Sequence, residues 1–438
     1  LGNHEFDYFP AALAASIVAA QEAGFDVPIL QANLGFSAAS PRDDSLQALV
    51  DDGTITPSLI KEYPSGLRVG LFGLLGTGAA ALAPNATPLT FEDEKVATQR
   101  QVDLLRAAGV DVVVALSHTG TNDAGVGPDR QLARTVAGID ILVSGHSHAV
   151  LEEPIVIDGP AGGKTLILNT GAYCRRVGKL VATVQRGRPV QVEEYALLPV
   201  DDSLAAHGEV QARLDELIAA VDTEVLADLE LSYDTPVAES AFDLTSPEFL
   251  EGNLGDLVTD AGMHAATLAL GHAPVVMVES GGAMRDELPA GVFWLSDAVR
   301  VLPLGIGPDG QAGYPRVSIF LKPADLAAGL EILTLAVDLV GSNDFFLQLA
   351  GVRMTYDPGA LPFSRLVSAE VGNDEAGWHT LDVAEDRLYE VAVNIYNASL
   401  LSLVSQMTSG ILTVTPRDEQ GEPVADLTTR IIDKDPAT

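Results

Sequence analysis

Three short polar stretches carry the residue types that catalysis needs: Gly-Asn-His-Glu-Phe-Asp at 2–7, Ser-His-Thr-Gly at 117–120 and Gly-His-Ser-His at 145–148. They hold four of the chain's eight histidines. A neutral imidazole is the commonest protein ligand for a transition ion, and Asn, Asp and His together suit Zn, Mn, Fe or Co better than Ca or Mg. His146 and His148 stand at i and i+2, so an extended segment would turn both rings to one side, where they could serve two neighbouring ions. A lone histidine is more often structural than catalytic, and that is the reading for His207, His264, His272 and His379. Each stretch alone is a weak signal, whereas all three in this order are a strong one.

The elements around these loops alternate. Residues 10–24 read as an Ala-rich helix stopped by Gly24, and 27–30 as a short buried strand. Residues 67–76 read as a strand, 96–109 as a helix ending at Gly109, and 110–118 as a continuous apolar strand that delivers His118. Helix 130–138 and strand 139–148 repeat the pattern and deliver His146 and His148. Continuous apolar strands that end in polar loops predict a sheet covered by helices, with ligands at the carboxyl ends of the strands. Residues 165–200 read as successive antiparallel strands, and 206–231 as a connector helix without chemistry. The pattern then restarts with a helix over 249–266, a strand into the Gly-rich Ser280-Gly281-Gly282 turn, and mixed strand, helix and strand over 316–356.

At 438 residues and 47% hydrophobic, the chain is long enough for two large domains. Its net charge of −36 opposes binding to nucleic acid or anionic lipid, which is held through Lys and Arg on phosphate. Six Lys stand against 19 Arg, and the acids are scattered, as on a solvated surface. The single Cys174 excludes a disulfide framework and a Cys-rich zinc site within the chain. No apolar run is long enough for a membrane span, since Glu331 and Asp338 interrupt residues 330–340.

The ordered set GNHEFD, SHTG and GHSH, followed by GNLGDLVTDA, SGGAMR and FLQLAGVRMTYD, resembles the 5'-nucleotidase family of dinuclear calcineurin-like metallophosphoesterases over nearly the whole chain. The resemblance implies an α/β (α+β) protein. Residues 1–204 would be a four-layer-type metallophosphoesterase β-sandwich with flanking helices, 205–231 a connector helix, and 232–438 a 5'-nucleotidase C-terminal α/β domain that binds substrate. Carried over by motif position, Asn3, His118 and His146 hold one ion and His148 belongs to a second, while His4 and Asp7 match the catalytic pair. The implied cofactors are two divalent transition ions (Mn, Zn, Co or Fe), the implied substrate is a small phosphate ester, and the implied location is outside the cytoplasm. Family members place a D-x-H strand and a G-D loop before GNHE. The resemblance therefore implies that the first βα segment and any export signal belong upstream of Leu1, and that residues 1–438 alone hold half a metal centre, with little or no activity.

The substrate end departs from the family pattern. Glu248 replaces an Arg, Ser280 an Asn, Leu304 an aromatic residue, and residues 399–403 (SLLSL) the family's Gly-Gly-Asp-Gly-aromatic segment. Arg285 keeps its motif position, beside Ser280, Gly281 and Gly282. Arg353, Arg365, Phe345, Phe346, Tyr356 and Tyr396 could rebuild a pocket of another shape, with Arg365 and Phe346 as its chosen representatives. The leading expectation is a phosphate-ester hydrolase of non-nucleotide or broad range. The alternatives are an ordinary 5'-nucleotidase or nucleotide pyrophosphohydrolase with base contacts from other residues, and a non-catalytic exported binding protein that keeps the fold.

Overall fold

In the computed structural model, the apolar runs of the first half become the middle of one sheet. Strands β1 (Ser58–Glu62), β2 (Arg68–Leu75), β3 (Val112–His118), β4 (Ile141–Ser144), β5 (Ile155–Asp158) and β6 (Lys164–Leu168) lie in the order β1-β2-β3-β4-β6-β5. Neighbours among β2, β3, β4 and β6 run parallel, while the edge strands β1 and β5 run antiparallel. The structure describes residues 1–438 apart from 26, 186, 247–249, 308–312, 340–345, 409 and 434–438. It falls into two units, Leu1–Ala205 and Ala206–Thr438.

One face of this sheet is buried against helices, whereas the other is covered only in part: Leu116 of β3 and Val143 of β4 stay 39% and 37% exposed. On one face, Phe72 and Leu74 of β2 pack with Val102 and Leu105 of helix α2 (Glu94–Ala107) and Leu132 of helix α3 (Pro128–Thr135). On the other, Leu75 joins Phe6, Leu46 and Ile17 of helix α1 (Phe9–Glu22). Full burial of such a side chain contributes about 1.5–3 kcal/mol. Helix α2 begins where the Asp93 carboxylate accepts the Lys95 and Val96 amides, and it stops at Gly109, whose φ is +78°.

The expectation of an antiparallel run over 165–200 holds only in part. Strand β6 pairs parallel to β4, and β5, which the sequence did not reveal, supplies its antiparallel neighbour. The remainder is an antiparallel ladder of β7 (Arg176–Thr183) and β8 (Gln191–Pro199) with a bulge at Val181/Ala182.

The second unit starts with helix α4 (Gly208–Val221), none of whose residues is buried, followed by a wider turn over Asp222–Leu226. Helix α5 (Asn253–Leu270) ends at left-handed Gly271. Strands β9 (Val276–Ser280), β10 (Arg316–Leu321), β11 (Leu347–Ala350) and β15 (Tyr389–Asn394) form a sheet in the order β10-β15-β9-β11. Strands β12 (Val352–Tyr356), β13 (Leu366–Asn373) and β14 (Gly377–Thr380) form a second, antiparallel sheet. Helices α6 (Pro323–Leu339) and α7 (Ile395–Met407) complete the unit. Apolar side chains of β9, β10 and β15 form its core with Leu326 and Ile332 of α6 and Ala398 of α7.

A buried acid ties β9 to β15. One oxygen of Glu279, Oε1, accepts hydrogen bonds from the Asn394 and Asn397 amides and from the Ser280 main-chain N–H. Burial pushes this carboxyl above its ordinary pKa, and the hydrogen bonds oppose the shift. Between the ordinary and the raised value the folded protein binds more protons than the unfolded chain, so stability falls as pH rises through that window. Glu279→Gln keeps an acceptor for all three donors and removes the charge. Both tryptophans, Trp294 and Trp378, lie in the second unit, so their fluorescence reads its unfolding. We predict that Glu279→Gln flattens the fall of the urea midpoint as pH rises from about 4.5 and leaves the midpoint at pH 7 at or above that of the unsubstituted protein.

Candidate active site

The carboxyl ends of β2, β3 and β4 lie side by side, with Leu75 opposite His118 and Ser117 opposite Ser144. His118 is the last residue of β3, and the Gly145–His148 loop leaves β4 at the same edge.

Residues 2–7 are held there by Phe6, which is fully buried and meets Phe91 edge-on at 5.7 Å. Its turn, His4–Phe6, is a single 3₁₀ turn that presents polar side chains on both sides of the anchor. The Asn3 Oδ1 lies 2.9 Å from His118 Nε2, and His4 Nδ1 lies 3.0 Å from Asp7 Oδ2. Asn3 and Asp7 are buried and His4 is half-buried, so the carboxylate sets the ring orientation of an imidazole that keeps access to solvent. A side chain at Gly2 would place its Cβ 2.7 Å from the His118 ring, so only glycine permits this approach.

His118 is depressed to about 3, first by burial and then by the neighbouring His146. It is therefore neutral at physiological pH, the form in which an imidazole ligates a metal. The His146 ring stands 5.2 Å from that of His118, and the His148 ring meets Tyr173 edge-on at 5.4 Å.

The extended conformation expected for Gly-His-Ser-His is not what forms. His146 and His148 take φ of +67° and +57°, so the alternation rule for strands does not orient their rings. Tyr173 continues this wall, with the Arg175 guanidinium 5.5 Å from its ring centre. Sequence reading missed both, because a lone Tyr and Arg in a loop have no periodicity to mark them.

Among the described residues, no group of three or more His, Cys, Asp or Glu side chains stands in ion-holding geometry. The first unit therefore offers a partial donor set: Asn3 touching His118, with His146 alongside.

In the second unit, Ser280 ends β9 and its hydroxyl accepts the Ala283 amide, which shapes the Gly281–Ala283 turn. The Gly281 N–H donates to the Phe346 carbonyl at 2.7 Å, and Arg285 follows, with its amide on the Val301 carbonyl. Tyr314 and Tyr396 stack on each other at this same edge of the sheet, with centroids 5.1 Å apart and planes at 22°. Sequence reading singled out Tyr396 and missed Tyr314, which lies in a loop far away in the chain. The Arg365 guanidinium donates to the Thr334 and Ala360 carbonyls, bonds that tie it to α6 and to its own loop. Glu248 and Phe345 lie outside the described residues.

Residues 231–403 match the family model of the 5'-nucleotidase C-terminal domain. The chain is 26% identical to bovine (Bos taurus) 5'-nucleotidase over 395 residues, which cover 85% of this chain and 63% of that protein. The chain thus spans less than two thirds of that relative. A solved structure, the 5'-nucleotidase precursor of Thermus thermophilus, superposes with a TM-score of 0.73 at 26% identity, covering 93% of this chain and 75% of the other. The sulfate thiohydrolase SoxB of Thermus thermophilus shares the fold, with a TM-score of 0.65 at 20% identity over 94% of this chain and 71% of that one. The second unit thus matches the 5'-nucleotidase C-terminal domain, and the chain is similar across both units to proteins named 5'-nucleotidases.

Proposed function

We propose that this protein is a metal-dependent phosphate-ester hydrolase of the 5'-nucleotidase type. One observation carries the reading: a single 3₁₀ turn sets Asn3 against His118 and His4 against Asp7, so donor and acid-base groups share one edge of the sheet. Bovine and Thermus relatives named as 5'-nucleotidases support the reaction class.

In this reading Asn3, His118 and His146 would hold a divalent transition ion, and His148 stands beside them for a second. The donors are an amide oxygen and neutral imidazoles, a chemistry that fits Mn, Zn, Co or Fe. Such ions supply electrostatic activation of water and of the phosphoryl oxygens. Asp7 holds His4 through Nδ1, which directs Nε2 to donate a hydrogen bond to charge developing on the phosphoryl group. An extracytoplasmic location goes with this reading and rests on the family resemblance alone. No helix among the described residues is long and apolar enough to cross a membrane.

The base end supports a substrate that does not depend on a base. Tyr314 and Tyr396 occupy each other's faces, so a base could enter between them only if the rings separated. Stacking on aromatics contributes roughly 1–3 kcal/mol per base.

Three outcomes are expected. Elemental analysis of this chain should find at most one tightly held transition ion, lost in His146→Asn and weakened in Gly2→Ala, because the alanine Cβ displaces His118; two tight ions would mean that other donors contribute. In a full-length version of the protein with its metals bound, His4→Asn should lower kcat by about 10²–10⁴ while metal content is unchanged. Equal metal loss in the His4 and His146 variants would remove the division of roles. For the full-length protein, steady-state rates with Mn or Co should show AMP hydrolysed no better than a simple aryl or sugar phosphate. A preference for AMP above about 100-fold, abolished by Tyr314→Ala or Tyr396→Ala, would show that these rings bind the base.

A further inference from the structure

We propose that Asp129 is the positioning residue that fixes the His118 and His146 rings relative to each other. It sits in the first turn of α3, is fully buried, and touches neither ring in any hydrogen bond given by the structure. Its carboxylate instead gathers donors from both histidine loops. Oδ1 accepts the hydroxyls of Ser117, at 2.6 Å, and Thr119, the residues immediately before and after His118. Oδ2 accepts the Ser144 hydroxyl at 2.6 Å, two residues before His146, and the Gly120 N–H at 3.2 Å. The Asp129 N–H returns a bond to the Gly120 carbonyl at 3.1 Å. The tie continues outward, since the Ser147 hydroxyl accepts the Thr121 N–H at 3.1 Å and donates to the Thr121 carbonyl at 2.6 Å.

The ladder between β3 and β4 cannot do this by itself. It ends at Ser117 and Ser144, and beyond it the loops depend on other bonds. His146 and His148, on either side of Ser147, hold left-handed backbone, which is strained for a non-glycine residue and persists only where the surroundings over-determine it. One carboxylate bonded on both sides of His118 and just ahead of His146 meets that requirement. The tie would also hold the rings without an ion, so the geometric claim stands apart from the metal reading, although its catalytic relevance rests on that reading.

The test uses histidine-ring-labelled chain and Co²⁺. In the metal-free protein, the nuclear Overhauser effect between the His118 and His146 rings reports their 5.2 Å separation. Asp129→Asn preserves shape but turns an amide toward the Gly120 N–H. It should weaken that signal at least twofold and lower Co²⁺ affinity about 10- to 100-fold. The control is Asp43→Asn, a second fully buried acid of the same unit whose carboxylate accepts the Ser37 amide; it should leave both readouts unchanged at a similar loss in melting temperature. Ser117→Ala should shift the His118 ring signals and Ser144→Ala those of His146, which keeps the test decisive if Asp129→Asn fails to fold. Unchanged ring signals in Asp129→Asn or in both serine variants, or equal changes in Asp43→Asn, overturn the proposal. Unsubstituted protein that shows the ring contact but binds no Co²⁺ would overturn the metal reading and leave the positioning test valid.

Discussion

An apolar strand in the middle of a sheet displays its polar side chains chiefly where it ends. Strands β2, β3 and β4 are such strands, each with one face packed in the helix-covered core, although Leu116 and Val143 leave the other face of β3 and β4 partly exposed. This constraint determines where the protein can do chemistry. Parallel pairing brings their carboxyl ends to one edge, so His118 and the His146 loop become neighbours although a helix and a strand separate them in the chain. Residues 2–7 reach the same edge by another route. The burial of one phenylalanine pins the turn, and its flanking polar residues are thereby aimed at His118.

The second unit obeys the same rule with a different outcome. Strands β9 and β15 run parallel, so the Ser280–Gly282 turn and the Asn394–Tyr396 segment leave the sheet together. Antiparallel β10 and β11 begin there, which brings Tyr314 and Phe346 to the same edge. Glu279, Asn394 and Asn397 lock that edge from beneath through buried hydrogen bonds. A sheet edge built this way is a rigid platform, and its specificity depends on which side chains stand on it. Here a Tyr314–Tyr396 stack stands on it, although Leu304 and residues 399–403 led us to expect that the family's aromatic pair is replaced.

A chain with a net charge of −36 faces a specific electrostatic problem if its substrate is a phosphate ester. Solvent screens surface charge over about 8 Å at physiological ionic strength, so the approach to the site depends on the charges nearest to it. The described groups around His118, itself neutral, are the other imidazoles, the Asn3 amide, the N-terminus and, beside His148, the Tyr173 ring with the Arg175 guanidinium. Local composition at the strand ends therefore matters more to an anionic ligand than the total charge does.

Much of this protein could be read from its sequence, because the relevant signals are local. Apolar runs, glycine stops and polar strand ends located α1, α2, β2, β3 and the loops that carry His118 and His146, and the order of those loops pointed to the family. What needed the tertiary structure is everything that depends on pairing between distant segments. Strand β6 carries an apolar pattern compatible with either direction, and only its neighbours made it parallel to β4. The backbone of His146 and His148 is left-handed because surrounding hydrogen bonds hold it so, whereas spacing alone suggested an extended segment. Tyr314 finds Tyr396, and Asp129 gathers five donors from two strand ends and the loops that follow, through contacts between elements that no periodicity within a single segment encodes. Sequence determined which groups stand at the strand ends, because burial sorts residues by type. The fold alone decided which of those groups meet, because their distances depend on sheet order and packing.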